Sequence, residues 1–91
     1  MATIAVMFKI DGESVAPALQ QAGERLDKAN GHAVLDFSAV RRVDPAALSA
    51  MQELAATADG RGVKLALRGV NIDIYKVLKL AKLAPRFSFL S

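Results

Sequence analysis

Cysteine and tryptophan are absent from the sequence, and its 91 residues include a single histidine, His32. Without cysteine there is no disulfide framework and no thiolate metal site, and one histidine argues against a histidine-rich metal centre. No apolar run approaches the length of a membrane span, and the N-terminus lacks the basic start and apolar run of a secretion signal. We therefore expect one cytoplasmic domain over residues 1–91, without metal, cofactor or direct membrane insertion.

Residues suited to catalysis are also scarce. The sequence has no glycine-rich phosphate loop and no serine in a recognisable nucleophile context, and His32 lies at a helix-to-strand turn. Asp36 and Asp44 each follow a predicted strand and could pair for acid–base chemistry, although such an aspartate more often closes its strand by a local hydrogen bond. The sequence predicts that the protein is not an enzyme. Nucleotide binding at a helix N-terminus, with weak hydrolysis, is an alternative.

Charge is distributed unevenly along the chain, whose formal net charge is +3. Residues 1–59 hold five basic and eight acidic side chains, whereas residues 60–91 hold seven basic and one acidic. Lys76, Lys79 and Lys82 form a basic stripe at helical spacing, which suits either a solvated face or a docking surface for an acidic partner. Aromatic residues do not interleave with the basic ones, so we expect no nucleic-acid partner.

Hydrophobic periodicity and turn residues divide the chain into seven elements. Alternation predicts strands, and apolar residues at helical spacing predict helices. The predicted elements are a strand Thr3–Ile10, a helix from an N-cap at Ser14 to Asn30-Gly31, a strand Ala33–Phe37, a helix from Asp44 to about Ala58 ended by Asp59-Gly60, a strand Val63–Leu67, a helix capped by Asn71 in a helical region ended by Pro85, and a strand Phe87–Leu90. The order β-α-β-α-β-α-β predicts an α/β fold with a small, mostly parallel sheet and right-handed crossovers.

The start of the second helix is the most informative stretch. Asp44 is suited to cap the helix, and Pro45 has the backbone dihedral of a first helical position. The helix is rich in alanine, and Ser49, Gln52 and Glu53 lie on its polar side. A flat face of small and polar residues suits docking to a protein partner, but it equally suits ordinary exposure to solvent.

Residues 31–84 resemble the STAS family, which includes anti-sigma factor antagonists, cytoplasmic tails of sulfate transporters and a small subunit of the Mla phospholipid ABC transporter. The resemblance is carried by four short motifs: Asp36-Phe37-Ser38 at a strand end, Val43-Asp44 at a helix start, Arg61-Gly62 before a strand, and Gly69-Val70-Asn71 after it. The last motif, with Tyr75, Leu78 and Leu80, is similar to the transporter-subunit branch. The resemblance implies a STAS-like fold of about four strands and three helices that binds protein partners.

One departure concerns regulation. In the antagonists the residue after the aspartate is a phosphorylated serine, and in the transporter subunit it is a threonine that supports contact with the ATPase. Here that position is Pro45, which has no hydroxyl, so the resemblance implies no phosphorylation there, and Ser49 is a weak candidate for a displaced acceptor. We expect the partner-binding residues to be Asp44, Pro45, Ala46, Ala47, Ser49, Gln52 and Glu53.

Two kinds of partner follow from the resemblance. A regulator similar to an anti-sigma factor antagonist would bind an anti-sigma factor or kinase-like protein. A small subunit of a lipid-transport ABC complex would bind the ATPase and lie peripheral to the inner membrane through it. Many family members also have an outer strand and a further helix, and losing them would leave a sheet edge or apolar face open. That hints at a homodimer or an obligate partner.

Overall fold

The computed structural model describes residues 6–26 and 31–90, and within them the predicted order of elements is confirmed. The elements are β1 (Val6–Lys9), α1 (Val15–Glu24), β2 (His32–Asp36), α2 (Pro45–Arg61), β3 (Lys64–Arg68), α3 (Ile72–Leu80), a 3₁₀ turn (Ala84–Arg86) and β4 (Ser88–Leu90). The predicted start of β1 at Thr3 lies outside the described residues, as does Asn30, the predicted end of α1; the helix itself ends earlier, at Glu24, with Arg25 as its C-cap.

The four strands form one sheet in the order β1-β2-β3-β4, and every neighbouring pair is parallel. The expectation of a mostly parallel sheet is therefore confirmed. Each strand is joined to its spatial neighbour by a helix, and the sheet grows in one direction throughout. Because right-handed crossovers that all step in one direction leave their helices on the same side, this topology gathers the three helices over one face of the sheet.

The covered face of the sheet carries the strand side chains that are most deeply buried. Ala33 and Leu35 on β2 pair in register with Leu65 and Leu67 on β3, and these four alternate with less buried neighbours. They belong to one apolar cluster with residues of all three helices, among them Leu19, Met51, Ile74 and Leu78. No buried polar or charged side chain occurs among the described residues, so burial of apolar surface is the main stabilising term.

The opposite face of the sheet remains accessible. Met7 is exposed, and Val34 and Ala66, which lie in the same cross-strand row, are half-buried. Parallel sheets are usually covered on both faces, so this one-sided burial is uncommon. The family resemblance implied an open sheet edge or apolar face. The homodimer inferred from it stays a prediction.

The N-cap of α1 lies at its predicted residue but lacks the expected capping bond, and α2 ends later than predicted. Ser14 does precede α1, but its hydroxyl makes no capping hydrogen bond, and Pro17, the third helical residue, has no N–H to donate to it. Asp11 organises the turn before the helix by accepting from the Glu13 N–H at 2.9 Å. Helix α2 continues through Asp59 and Gly60 to Arg61 and ends at Gly62, whose φ is 70°. The Asp-Gly pair was therefore the wrong stop signal, since only Gly62 has the left-handed conformation for which glycine is preferred.

Gly12 lies in the loop between β1 and α1, where the chain passes close to the loop that leads into α2. A Cβ added at Gly12 would overlap the backbone carbonyl of Ala39. Gly60 is the opposite case, because a Cβ there would meet nothing within 4 Å and the residue lies in a helix. The close approach of the two loops therefore depends on the absence of a side chain at Gly12.

We predict that Gly12→Ala destabilises the protein by about 2 kcal/mol, since backbone atoms must move to admit the methyl group. Gly60→Ala, the matched control, should stabilise it by about 0.5 kcal/mol, because alanine has the higher helix propensity. Urea unfolding followed by circular dichroism measures both changes. Equal effects of the two substitutions would contradict the close approach at Gly12.

Candidate functional site

Asp44 begins α2 in the manner that the sequence predicts. Its side-chain Oδ1 accepts a hydrogen bond from the Ala47 N–H at 2.7 Å, and its carbonyl accepts from the Leu48 N–H at 2.9 Å. Pro45 occupies the first turn, where the missing N–H leaves no bond unmade. The cap fixes where the helix begins and hence which of its residues face outward.

The outer face of α2 consists of small and polar side chains. The core side of the helix is formed by Ala47, Ala50, Met51, Leu54, Ala55 and Ala58. Six of the seven residues predicted to bind a partner are exposed: Asp44, Pro45, Ala46, Ser49, Gln52 and Glu53. Ala47 requires a correction, because it is 1% exposed and belongs to the core side, so its side chain is not available to a partner. We call the six exposed residues the α2 face.

An open groove of about 900 Å³ lies beside the start of the α2 face. Its walls are the turn and first helical residues 11–17 on one side and Ala39, Arg41, Arg42 and Asp44 on the other. Local sequence patterns do not show that these two segments lie side by side. The signal that could have joined them is topological, because the loops after parallel strands meet at the carboxyl edge of the sheet.

Asn71 connects this loop region to α3. Its Oδ1 caps α3 by accepting from the Ile74 N–H at 2.8 Å, and its Nδ2 donates to the carbonyl oxygen of Arg41 at 3.3 Å. The capping role was predicted, whereas the bond to Arg41 was not. One amide side chain therefore begins α3 and also holds the loop that carries Arg41 towards Asp44.

The two aspartates considered for acid–base chemistry each serve a local turn. Asp36 Oδ1 accepts hydrogen bonds from both the hydroxyl and the backbone N–H of Ser38, the latter at 2.9 Å. The pKa of Asp36 lies below its usual value mainly because the Ser38 hydroxyl donates to it, and next because the Ser38 N–H does. The positive charges of Arg68 and Lys9 lower it by a smaller amount. Asp36 thus closes its strand, and Asp44 caps its helix.

Comparison with known proteins places this fold and site in a family. The profile of the family described as "Mlab, STAS domain" matches residues 3–86. The chain belongs to this STAS domain family. None of the curated proteins compared with this chain matches it, whereas several solved structures do. Among the described residues, none of its helices is long and apolar enough to cross a bilayer. Within residues 6–26 and 31–90, no three acidic or histidine side chains converge as a metal site.

Two crystal structures resemble the STAS domain over nearly its whole length. One is a sulfate transporter family protein from Wolinella succinogenes, with a TM-score of 0.81, 20% identity, and coverage of 98% of this chain and 80% of that one. The other is a proposed anti-sigma factor antagonist from Thermotoga maritima, with a TM-score of 0.74, 18% identity, and coverage of 99% and 83%. At these identities the two structures establish the fold, and the STAS-like architecture expected from the sequence is confirmed.

The double role of Asn71 predicts different outcomes for two substitutions. Asn71→Asp keeps the oxygen that caps α3 but loses the N–H donor to Arg41, so its free energy of unfolding should fall by less than that of Asn71→Ala. We expect Asn71→Ala to cost about 1 kcal/mol, the usual contribution of a cap. Amide hydrogen exchange should show faster exchange in residues 39–44 for both variants. Unchanged exchange in Asn71→Asp would refute the link to Arg41.

The lowered pKa of Asp36 gives a pH-dependent prediction. Because this pKa lies below its unfolded value, the charged side chain contributes stability that is present above the unfolded value and is lost as pH falls through the folded pKa. Ser38→Ala should raise the pKa of Asp36 and so reduce the stability lost on acidification. An NMR pH titration of the Asp36 carboxyl carbon measures the shift, with Ser88→Ala as the control. An unchanged pKa in Ser38→Ala would contradict the assigned cause.

Proposed function

We propose that this STAS domain is a non-enzymatic, cytoplasmic interaction module that binds a protein partner through the α2 face. The observation that carries the proposal is the arrangement of α2 itself. Its core side is wholly apolar, while its outer side is exposed from the capped N-terminus onward. An anti-sigma factor antagonist-like regulator is the function that this arrangement and the structural neighbour from Thermotoga maritima support best.

The chemistry of the α2 face suits a helix or loop of a partner. Pro45 and Ala46 have short side chains, so a partner backbone can approach the first turn closely. Ser49, Gln52 and Glu53 follow at helical spacing and supply hydrogen-bond donors and acceptors to orient the partner. Arg41 and Arg42, in the groove beside Asp44, extend the surface with positive charge.

Regulation by phosphorylation at the start of α2 does not form part of the proposal. Pro45 is exposed at the position where the family resemblance implies a phosphoacceptor, and proline has no hydroxyl to modify. Ser49 is also exposed, but it lies one turn further along the helix and remains only a weak candidate. The proposed binding is therefore constitutive and limited by the amount of each protein.

A second function is favoured by the description of the matching family, which names Mlab. In that case the partner is the ATPase of a lipid-transport ABC complex, and the STAS domain lies at the membrane through its partner. Both functions use the same α2 face, so they differ in the identity of the partner and share the binding surface. Neighbouring genes for a permease and ATPase would favour the transporter, and a neighbouring serine kinase or phosphatase would favour the regulator.

The proposal is tested by affinity capture of partners from native lysate, comparing the unmodified protein with the variant Ser49→Arg. Arginine at position 49 places a long charged side chain in the middle of the α2 face, so partner recovery should fall at least about tenfold, or ~1.4 kcal/mol. Ser88→Arg makes the same chemical change at an exposed position on β4 and should leave recovery unchanged. Both variants should unfold at the temperature of the original protein.

The proteins recovered by the unmodified chain identify the partner class. An anti-sigma factor or a kinase-like protein supports the regulator, and an ABC ATPase with its permease supports the transporter subunit. Full recovery of the same partner by Ser49→Arg would exclude the α2 face as the binding surface in either case.

A further inference from the structure

A second surface lies away from the α2 face, where α3 meets the edge strand β4. It is an open hollow of about 530 Å³ lined by Tyr75, Lys79, Lys82, Ala84, Pro85 and Phe89. We call it the α3–β4 hollow. None of these residues belongs to the groove or to the α2 face, and the proposed function does not use them.

Two aromatic rings form the floor of the α3–β4 hollow. Tyr75 and Phe89 meet edge to face, with ring centroids 5.0 Å apart. Phe89 lies in register with buried Leu67 and so extends the apolar face of the sheet to its edge. Both rings nevertheless remain partly open to solvent, Tyr75 at 40% and Phe89 at 36%. The rings, with Ala84 and Pro85, offer a concave apolar site for one large side chain.

The rim of the hollow carries only positive charge. Lys79 and Lys82 are its charged lining residues, and both are exposed. Arg86, which follows nearby in the sequence, is directed elsewhere because its guanidinium pairs with Asp59 on α2 at 2.7 Å. An apolar floor with a lysine rim is complementary to an apolar side chain flanked by carboxylates.

Lys82 occupies a position where glycine would be more stable. Helix α3 ends in a Schellman motif. The Leu83 N–H donates to the Leu78 carbonyl oxygen at 2.8 Å, and the Lys82 N–H donates to the Lys79 carbonyl oxygen at 3.1 Å. Lys82 is the left-handed residue of this motif, with φ at 61°. Helix α2 ends in the same way, and there the chain has Gly62. Within one chain, the equivalent position is glycine at one helix end and a strained lysine beside the hollow at the other.

From these observations we infer that the α3–β4 hollow binds an acidic peptide segment of a protein partner, with one aromatic or aliphatic side chain packed in the hollow against the Tyr75 and Phe89 rings. Lys79 and Lys82 contact the carboxylates on either side of that anchor. The charge of Lys82 at a strained position is explained if it serves this contact.

Other occupants fit the hollow less well. A second copy presenting the same hollow would place its lysines against those of the first, and like charges oppose such a symmetric contact. A lipid surface is recognised by side chains that project outward, and Leu80, next to Lys79, is 85% exposed in this way, so lipid binding requires its own test; the two rings themselves line the hollow. The acidic peptide satisfies both the shape and the charge.

The probe is a short fluorescein-labelled peptide with one phenylalanine flanked by glutamates. Two control peptides replace the phenylalanine by serine or the glutamates by glutamine. We expect salt-sensitive binding by fluorescence anisotropy that requires both features. Backbone amide NMR shifts should be concentrated in residues 75–89. Binding of all three peptides alike, shifts centred on the α2 face, or no binding would overturn the inference.

The variant that discriminates between a binding role and simple exposure is Lys82→Gly. It should raise the melting temperature by about 4 °C, because glycine relieves the left-handed conformation, and weaken peptide binding about threefold. Lys79→Gln should weaken binding similarly without raising the melting temperature. Lys9→Gln, at the opposite edge of the sheet, removes the same charge and should leave affinity unchanged. A more stable Lys82→Gly that binds normally would show that Lys82 has no part in recognition.

Two further measurements separate the other occupants. Vesicles containing phosphatidylglycerol should not co-sediment the protein, and light scattering after size exclusion should show no self-association that Lys79→Gln weakens. Lipid binding or self-association that depends on Lys79 and Lys82, without binding of the acidic peptide, would replace the inference with a lipid surface or a second copy.

Discussion

Burial on one side of the parallel sheet is the constraint on which the structure depends. All strands run in parallel and in sequential order, so the crossover helices gather over one face and share a single apolar core. Helices α1 and α2 also pack against each other, whereas the outer sides of α2 and α3 stay exposed to solvent. The same arrangement leaves Met7, Val34 and Ala66 accessible on the other face of the sheet.

The loops at the carboxyl edge of the sheet are held by close backbone approach. The Phe37 N–H donates to the Arg68 carbonyl oxygen at 2.7 Å. Gly69 has a φ of 72°, and a Cβ added to it would lie 2.6 Å from Ser38 Oγ. Gly69 thus allows the chain leaving β3 to pass against the turn after β2. Asn71 then bonds to Arg41, so the start of α2 and the start of α3 are positioned together. Asp44, the first residue of the α2 face, therefore follows a loop that Asn71 holds and caps the helix with its own side chain.

Much of the fold follows from local patterns in the sequence. Alternation located β2 and β3 to within a residue, and the caps Asp44 and Asn71 predicted the starts of α2 and α3, because these signals act over a few neighbouring residues. The end of α2 was misplaced because Asp59-Gly60 and Gly62 carry similar signals, and only the tertiary contact of Val63 with the core selects the second. Local patterns identified the exposed residues of the α2 face, whereas the groove required knowing which loops meet.

Opposite charges on the two proposed surfaces argue that they recognise different chemistry. Asp44 and Glu53 are the charged residues of the α2 face, while Lys79 and Lys82 rim the α3–β4 hollow. A partner segment with carboxylates suited to the hollow would be repelled by Glu53 on the α2 face, while Arg41 and Arg42 in the neighbouring groove would offset part of that repulsion. A partner that contacts both surfaces would need two segments of unlike charge, each weak alone and stronger when joined in one chain.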